Sequence, residues 1–344
     1  SALAGPGDWA SRVGTAHRQC AMGIDIELYV YLGLWYAGNY YYNIYNKLSS
    51  KAGGGTEFVM TLALLQMAVG AVYSLFLWFA PEARASPKMT FSQVMKLAPL
   101  GFCAAAAHAG AVFSLSAGAV SFAQIVKAAE PAFAAGVGYT VYGKTISKAK
   151  MACLVPIIGG IWVASVKELD FTWAALAAAG GANIAAAFRG QENKRTMAEE
   201  GLKEAVGGAG NTYAITTLWA TLMLIPLVFI TGEYNKLDQF MQMWSADGKP
   251  GTVGNLRWNT IMSGLTFYLY NEVSTIALKK ISGVTHSVAN TAKRAIIIVG
   301  CAIAFGESMD PIKMTGCAIA IGGTFLYAIA DDLVKPSEDK TKTQ

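Results

Sequence analysis

The sequence predicts an all-α integral membrane protein with ten transmembrane helices arranged as two inverted five-helix repeats. Three observations carry that expectation. Of 344 residues, 54% are hydrophobic and 14% charged, and the mean hydropathy is +0.38, which departs from a soluble globular domain. Ten apolar segments of about the length that a hydrocarbon core requires recur along the chain. SLSAGAVSFAQIVK (114–127) returns as KISGVTHSVANTAK (280–293) at an offset of 166, matching Ser116 to Ser282, Ser121 to Ser287, Ala123 to Ala289 and Lys127 to Lys293.

In chain order, a polar segment (1–23) contains neither a basic n-region nor an apolar h-region, so the expectation is a processed N-terminus with any transit peptide out of view. The first repeat (24–167) holds spans at 24–46, 57–80, 93–116, 119–142 and 148–167. The second (168–333) holds spans at 171–190, 211–232, 255–279, 284–305 and 312–333, and a polar tail (334–344) follows. The breaks AGGGT (52–56), PEARASPK (81–88), YGKTISK (142–148) and GESMDP (306–311) carry the Gly, Pro, Ser and charge of loops. The longer polar stretches 191–210 and 233–254 read as surface helices or loops. CLVPIIGGIWVA (153–164) resembles CAIAIGGTFLYA (317–328), and both hold a Gly-Gly pair suited to close helix packing. Five spans is an odd number, so the second repeat is inverted relative to the first, and such repeats place a substrate site at their interface near the midplane.

The face bearing both termini is the richer in Lys and Arg, from Arg84, Lys88, Lys144, Lys148, Lys150, Lys194, Lys203, Lys279 and Lys280, and is expected to face the inner compartment. Basic residues confined to short loops account for the net charge of +5 without nucleic acid. The five cysteines are scattered, with no CxxC pair, and are expected to be reduced. There is no GxSxG elbow, Walker loop or metal motif, so neither an enzyme nor a cofactor is expected.

Charge inside the spans points to a function. In THSVANTAKRAIIIVG (285–300), Lys293 and Arg294 stand side by side. A charge at mid-bilayer costs roughly 2.5–3.5 kcal/mol on insertion scales, so such residues face a protein-lined cavity and meet an anion. Consecutive helical residues point about 100° apart, so both cannot snorkel to one interface. Lys127, in AVSFAQIVKAAEPAF (119–133), is followed by Glu130, which either neutralises it at i,i+3 or leaves it free as a ligand, and by Pro131, which favours a kink. Glu272, in YLYNEVS (268–274), is available to pair with Lys293 or Arg294. Arg189 reads equally as a ligand or a loop arginine. The candidate set, Lys127, Arg189, Lys293 and Arg294 against Glu130 and Glu272, leaves an excess of two positive charges, which a dianionic phosphate monoester cancels. An empty site would leave cations repelling one another, so obligatory exchange is the expected mechanism. His108 in an Ala-rich segment is a packing residue or a ligand, Tyr270 a cavity hydroxyl or part of an aromatic belt, and His286 a cap or packing residue. The aromatic stripe at 29–45 reads as a packing surface.

VSFAQIVKAAEPAF (120–133), FYLYNEVS (267–274) and THSVANTAKR (285–294) resemble the plastid phosphate translocator family, triose-phosphate/phosphate translocator-like, of the drug/metabolite transporter superfamily. The resemblance implies that Lys127, Lys293 and Arg294 clamp a phosphate, that His108 and Tyr270 contact the organic moiety, and that Arg189, in AAAFRGQ (185–191), contributes to the phosphate site or path. It further implies an antiporter of the chloroplast inner envelope that exchanges inorganic phosphate for triose phosphate or 3-phosphoglycerate by alternating access. Pentose- or hexose-phosphate exchange, nucleotide-sugar antiport, and a structural membrane subunit binding an anionic lipid or partner are the alternatives. His108 argues against the phosphoenolpyruvate type, and THSV (285–288) looks closer to the triose-phosphate type. The chain departs from the family pattern at Ala111, where Ser or Thr is usual, and at Ala123 and Gln124, which replace Thr-His. Loss of the hydroxyl at 111 either loosens phosphate contacts or makes room for a larger sugar.

Overall fold

Apolar runs of this length resolve as helices because only a helix pairs every backbone N–H and C=O within its own segment. The structure, a computed structural model, describes residues 26–166, 168, 171–281 and 283–334, with side chains except at 278–280 and 283–284. The segment 1–23 with Cys20, the tail beyond Val334, and the Lys279 and Lys280 side chains lie outside what is described. Among the described residues there is no strand. The helices are α1 (Ile26–Ala52), α2 (Val59–Phe79), α3 (Phe91–Lys96), α4 (Ala98–Ala117), α5 (Val120–Lys127), α6 (Glu130–Thr140) and α7 (Lys148–Val166). They continue with α8 (Trp173–Thr196), α9 (Leu202–Val206), α10 (Ala209–Ile230), α11 (Leu237–Trp244), α12 (Leu256–Lys280), α13 (Gly283–Phe305) and α14 (Pro311–Val334).

Among the described residues, six stretches are long and apolar enough to cross a membrane: α2, α3 with α4 (Phe91–Ala117), α7, α10, most of α13 (Thr285–Phe305), and α14. The other long helices, α1, α8 and α12, fall short because they carry polar residues, several of which line the central cavity described below, and α5 and α6 because the break between them leaves helices of only 8 and 11 residues.

Two expected spans are interrupted. The third breaks at Leu97, between α3, which opens on a Thr90–Gln93 capping box, and α4, which begins just before Pro99. The fourth breaks at Ala128 and Ala129, and α6 then starts with Pro131 in its first turn, where a missing N–H costs no helical bond. The carbonyl that this break releases at Ala128 accepts from Thr324 Oγ1 at 3.0 Å, and that of Val126 accepts from Asn183 Nδ2 at 2.9 Å. The kink expected from Pro131 is therefore present, directly after Lys127.

Helix packing is paired. α1 lies along α12 and α4 along α8; α4 also meets α10, and α2 meets α12. α7 packs on α14, α2 on α10, and α5 on α13. α7 and α14 run antiparallel, since Ile157 meets Gly323 while Ala164 meets Gly316. Their approach needs glycine: a Cβ on Gly160 would stand 2.5 Å from Ala320 N and 2.6 Å from Gly316 O. An apolar cluster of Phe58, Leu62, Met67, Val112 and Leu224 joins α2, α4 and α10. Cys301 and Cys317 are buried free thiols, and Cys103 and Cys153 are half-buried ones.

One end of the bundle is stitched shut. Lys47 Nζ donates to Leu115 O at 2.8 Å and Gly118 O at 2.6 Å, completing the C-terminus of α4. Glu307 accepts from Val120 N at 2.7 Å and Ser121 N at 3.0 Å, completing the N-terminus of α5. Nearby, Lys313 and Glu168 form an ion pair at 2.8 Å with side chains only 1% and 3% exposed.

Candidate functional site: a cationic cavity between the helix pairs

Asn39, Asn43 and Asn46 recur at i, i+4 and i+7 on α1, so one stripe of that helix is polar and turns inward. α1, α4, α5, α6, α8, α12 and α13 together enclose a cavity of about 270 Å³, near the lower end of small-molecule sites. Lys127, Arg189, Lys293, Arg294, Glu130, His108, Tyr270 and Ala111 all line it. Residues from both halves of the sequence thus converge on one space.

Each cation is held differently. Lys293 Nζ lies 4.7 Å from the Trp35 ring centroid and 5.7 Å from that of Tyr270, a cation–π setting that orients the ammonium without neutralising it. Arg294, 7% exposed, donates through Nη2 to Glu130 Oε2 at 2.5 Å. Glu130 is therefore the partner of Arg294, and the i,i+3 pairing of Glu130 with Lys127 is not formed. Among the described residues, Lys127, Arg189 and Lys293 have no carboxylate partner.

The expectation for Glu272 is corrected. It lies outside the cavity wall and forms an ion pair with Arg84, whose Nη1 also donates to Tyr268 OH at 3.2 Å. The loop after α2 folds back onto α12 and supplies that arginine, which hydropathy along a single span does not reveal. The charge tally changes with it: four cations face the cavity against the one carboxylate of Glu130, an excess of three rather than two.

His108 is buried at 3% exposure, 4.4 Å from Phe267 between ring centroids, and neither ring nitrogen has a partner. A buried polar group left unpaired in the protein is costly, so a ligand or solvent in the cavity is its natural partner. Tyr270 packs 5.7 Å from Tyr42. His286 neither caps nor simply fills space: it stacks on Trp35 at 4.9 Å, meets Ser274 Oγ at 3.2 Å and lines the cavity. Trp35 and Tyr42, from the stripe read as packing, also face the cavity, as do Asn39, Asn43, Gln124, Asn183, Asn271 and Asn290. The overlooked signal was the carboxamides. Gln124 and Asn290 each precede a repeat lysine by three residues, and the α1 asparagines fall on one stripe.

A second, larger cavity of about 580 Å³ adjoins the first. Arg189, Asn271, Ser274 and His286 border both, and Lys203, Thr212, Tyr213 and Thr216 line the outer one. The cationic site thus has an approach from the end of the bundle where α8 finishes and α10 starts, opposite the end stitched by Lys47 and Glu307.

Comparison with known proteins is consistent along the chain. The triose phosphate/phosphate translocator of non-green plastids from Brassica oleracea var. botrytis is 30% identical over 318 residues, covering 92% of this chain and 75% of the relative. Phosphoenolpyruvate/phosphate translocator 1 of Arabidopsis thaliana is 30% identical over 318 residues, with 92% and 74% covered. Glucose-6-phosphate/phosphate translocator 1 of Arabidopsis thaliana is 33% identical over 310 residues, with 89% and 75% covered. A solved structure described as "Crystal structure of protein" superposes with a TM-score of 0.50 at 12% identity, covering 87% of this chain and 97% of that one, a likeness of fold alone. The sequence model of the Triose-phosphate Transporter family matches residues 26–328, and the chain belongs to that family.

Proposed function

We propose that this protein is an antiporter that exchanges inorganic phosphate for a phosphorylated C3 metabolite, triose phosphate or 3-phosphoglycerate, by alternating access in the plastid inner envelope. The observation that carries the reading is the convergence of Lys127, Arg189, Lys293 and Arg294 on one cavity with Glu130 as the sole carboxylate there among the described residues. Lys127, Lys293 and Arg294 hold the phosphoryl group. Arg supplies a planar fork and the lysines supply compact charge, a combination suited to several equivalent oxygens. At an effective dielectric of about 20, each cation about 4 Å from a phosphate charge contributes on the order of 4 kcal/mol before desolvation. Arg189, at the junction of the two cavities, receives the incoming anion. His108 and Tyr270 contact the organic part, and Ala111 leaves room beside them. An excess of three charges accommodates the carboxylate that 3-phosphoglycerate carries beside its phosphoryl dianion, and His108 sets the reading apart from phosphoenolpyruvate, which carries the same charges.

The reading also takes the fold to be ten spans in two inverted repeats, 24–167 and 168–333. Paired packing supports it: exchanging the halves turns the α1–α12 contact into α8–α4 and the α2–α12 contact into α10–α4, while α7–α14, α2–α10 and α5–α13 map onto themselves. Lys127 and Lys293 then occupy equivalent places about the axis. The relatives, named for triose phosphate, phosphoenolpyruvate and glucose 6-phosphate, lie between 30% and 33% identity, so the organic group rests on His108 and the charge excess.

Competition settles the assignment. Labelled phosphate uptake into phosphate-loaded proteoliposomes is measured with 3-phosphoglycerate, triose phosphate, phosphoenolpyruvate, glucose 6-phosphate and a nucleotide sugar as competitors. Strongest inhibition by the first two is the expected result. Strongest inhibition by phosphoenolpyruvate or glucose 6-phosphate, or by the nucleotide sugar alone, would overturn the assignment to triose phosphate and 3-phosphoglycerate.

A further inference from the structure

A buried chain of carboxamides fixes which way one cavity-lining side chain faces, and the inference drawn from it rests on the exchange reading above. Gln124 lies on α5 three residues before Lys127, is 5% exposed and forms part of the cavity wall. The chain begins at the backbone carbonyl of Asn39, which can only accept. Asn43 Nδ2 donates to it at 2.7 Å and to Asn39 Oδ1 at 3.2 Å. With its NH2 committed, the wholly buried Asn43 presents Oδ1 on its other side, and Gln124 Nε2 donates there at 2.7 Å. Turning the Gln124 amide over would set two acceptor oxygens against each other with no donor between them. Its Oε1 is therefore a fixed acceptor, with no partner among the described residues. Asn290, the counterpart three residues before Lys293, also lines the cavity but has no side-chain hydrogen bond among the described residues, so no such chain fixes which way its amide faces.

We propose that Gln124 is a specificity-determining residue: its Oε1 accepts a hydrogen bond from a substrate hydroxyl on the carbon next to the phosphorylated one. Residues three apart share a helix face, with Cβ atoms about 5–6 Å apart, and both Gln124 and Lys127 line the cavity, so one ligand can reach Lys127 with its phosphoryl group and Gln124 with a neighbouring hydroxyl. A ligand without the hydroxyl buries the acceptor unpaired, which is how a hydrogen-bonding site rejects a deoxy analogue.

The test is labelled phosphate uptake into phosphate-loaded proteoliposomes, competed by 3-phosphoglycerate and by 3-phosphonooxypropanoate, which lacks only the C2 hydroxyl. Wild-type protein should prefer the hydroxylated competitor by about three- to tenfold. Gln124→Met, close in shape but without the amide, should bring that ratio near one. Asn43→Leu, which releases the Gln124 amide to turn, should lower the ratio part of the way and carries the test if Gln124→Met does not reconstitute. A wild-type ratio near one, a ratio unchanged by Gln124→Met, or equal weakening of both competitors would overturn the assignment of Gln124 alone. Absence of phosphate exchange by wild-type protein would instead take down the transport reading, and this assignment with it.

Discussion

Lys127 and Lys293 face the cavity without a carboxylate partner, whereas Arg294 shares its guanidinium with Glu130. Replacing either lysine by Ala therefore removes charge that only the ligand answers, and a hydrogen bond to a charged group is worth about 1.5–3 kcal/mol. Lys127→Ala and Lys293→Ala should each raise the concentration of phosphate giving half-maximal exchange by about ten- to a hundredfold, measured as labelled uptake against external phosphate. A wild-type value in both variants would detach the lysines from phosphate. Those lysines were legible in the sequence because a cation in an apolar span has no cheap alternative. Glu272 was misread for the opposite reason: its partner Arg84 sits in a loop, where a charge is ordinary, and only the return of that loop to α12 joins them. Asn39, Asn43 and Gln124 passed unnoticed because carboxamides are neutral and raise no charge anomaly inside a span.

At the scale of elements, close helix approach is the most exposed feature. A side chain on Gly160 would meet backbone atoms of α14 at 2.5–2.6 Å, and backbone cannot step aside as a flexible side chain does. Gly160→Leu should cost about 1–3 kcal/mol by overpacking, seen as a lowered unfolding midpoint in detergent. Gly159→Leu, whose added Cβ has nothing within 4 Å, is the matched control and should unfold like wild type. Equal midpoints for the two variants would show that α7 and α14 are not in this contact. The Gly-Gly pairs were visible as a packing signal, but which glycine of each pair faces the partner depends on helix rotation. The break after Lys127 was readable from Pro131, whereas the break at Leu97 depends on how Pro99 meets the end of α3.

For the whole molecule, the cavity is approached from the α8–α10 end and closed at the other, where Lys313 and Glu168 are paired in the interior. Removing one partner of a buried pair leaves an uncompensated charge and costs about 3–5 kcal/mol, whereas replacing both with apolar residues is often neutral. Lys313→Met should lower the unfolding midpoint, and adding Glu168→Leu should recover most of the loss; a double variant no better than the single one would remove this pair from the closed end. The repeat was legible from one pair of matching segments, while the open and closed ends were not, because both states share one sequence. On the exchange reading, the cationic site opens to one side and then the other loaded with a phosphate-bearing anion and rarely without it. The most direct measurement of that behaviour is the initial rate of labelled phosphate uptake by wild-type and Lys293→Ala protein, in liposomes preloaded with phosphate and in empty ones. Rapid uptake by wild-type protein into loaded liposomes only, with strong loss in Lys293→Ala at low phosphate, is the predicted result; equal wild-type uptake into empty liposomes, or undiminished uptake by Lys293→Ala, would contradict it.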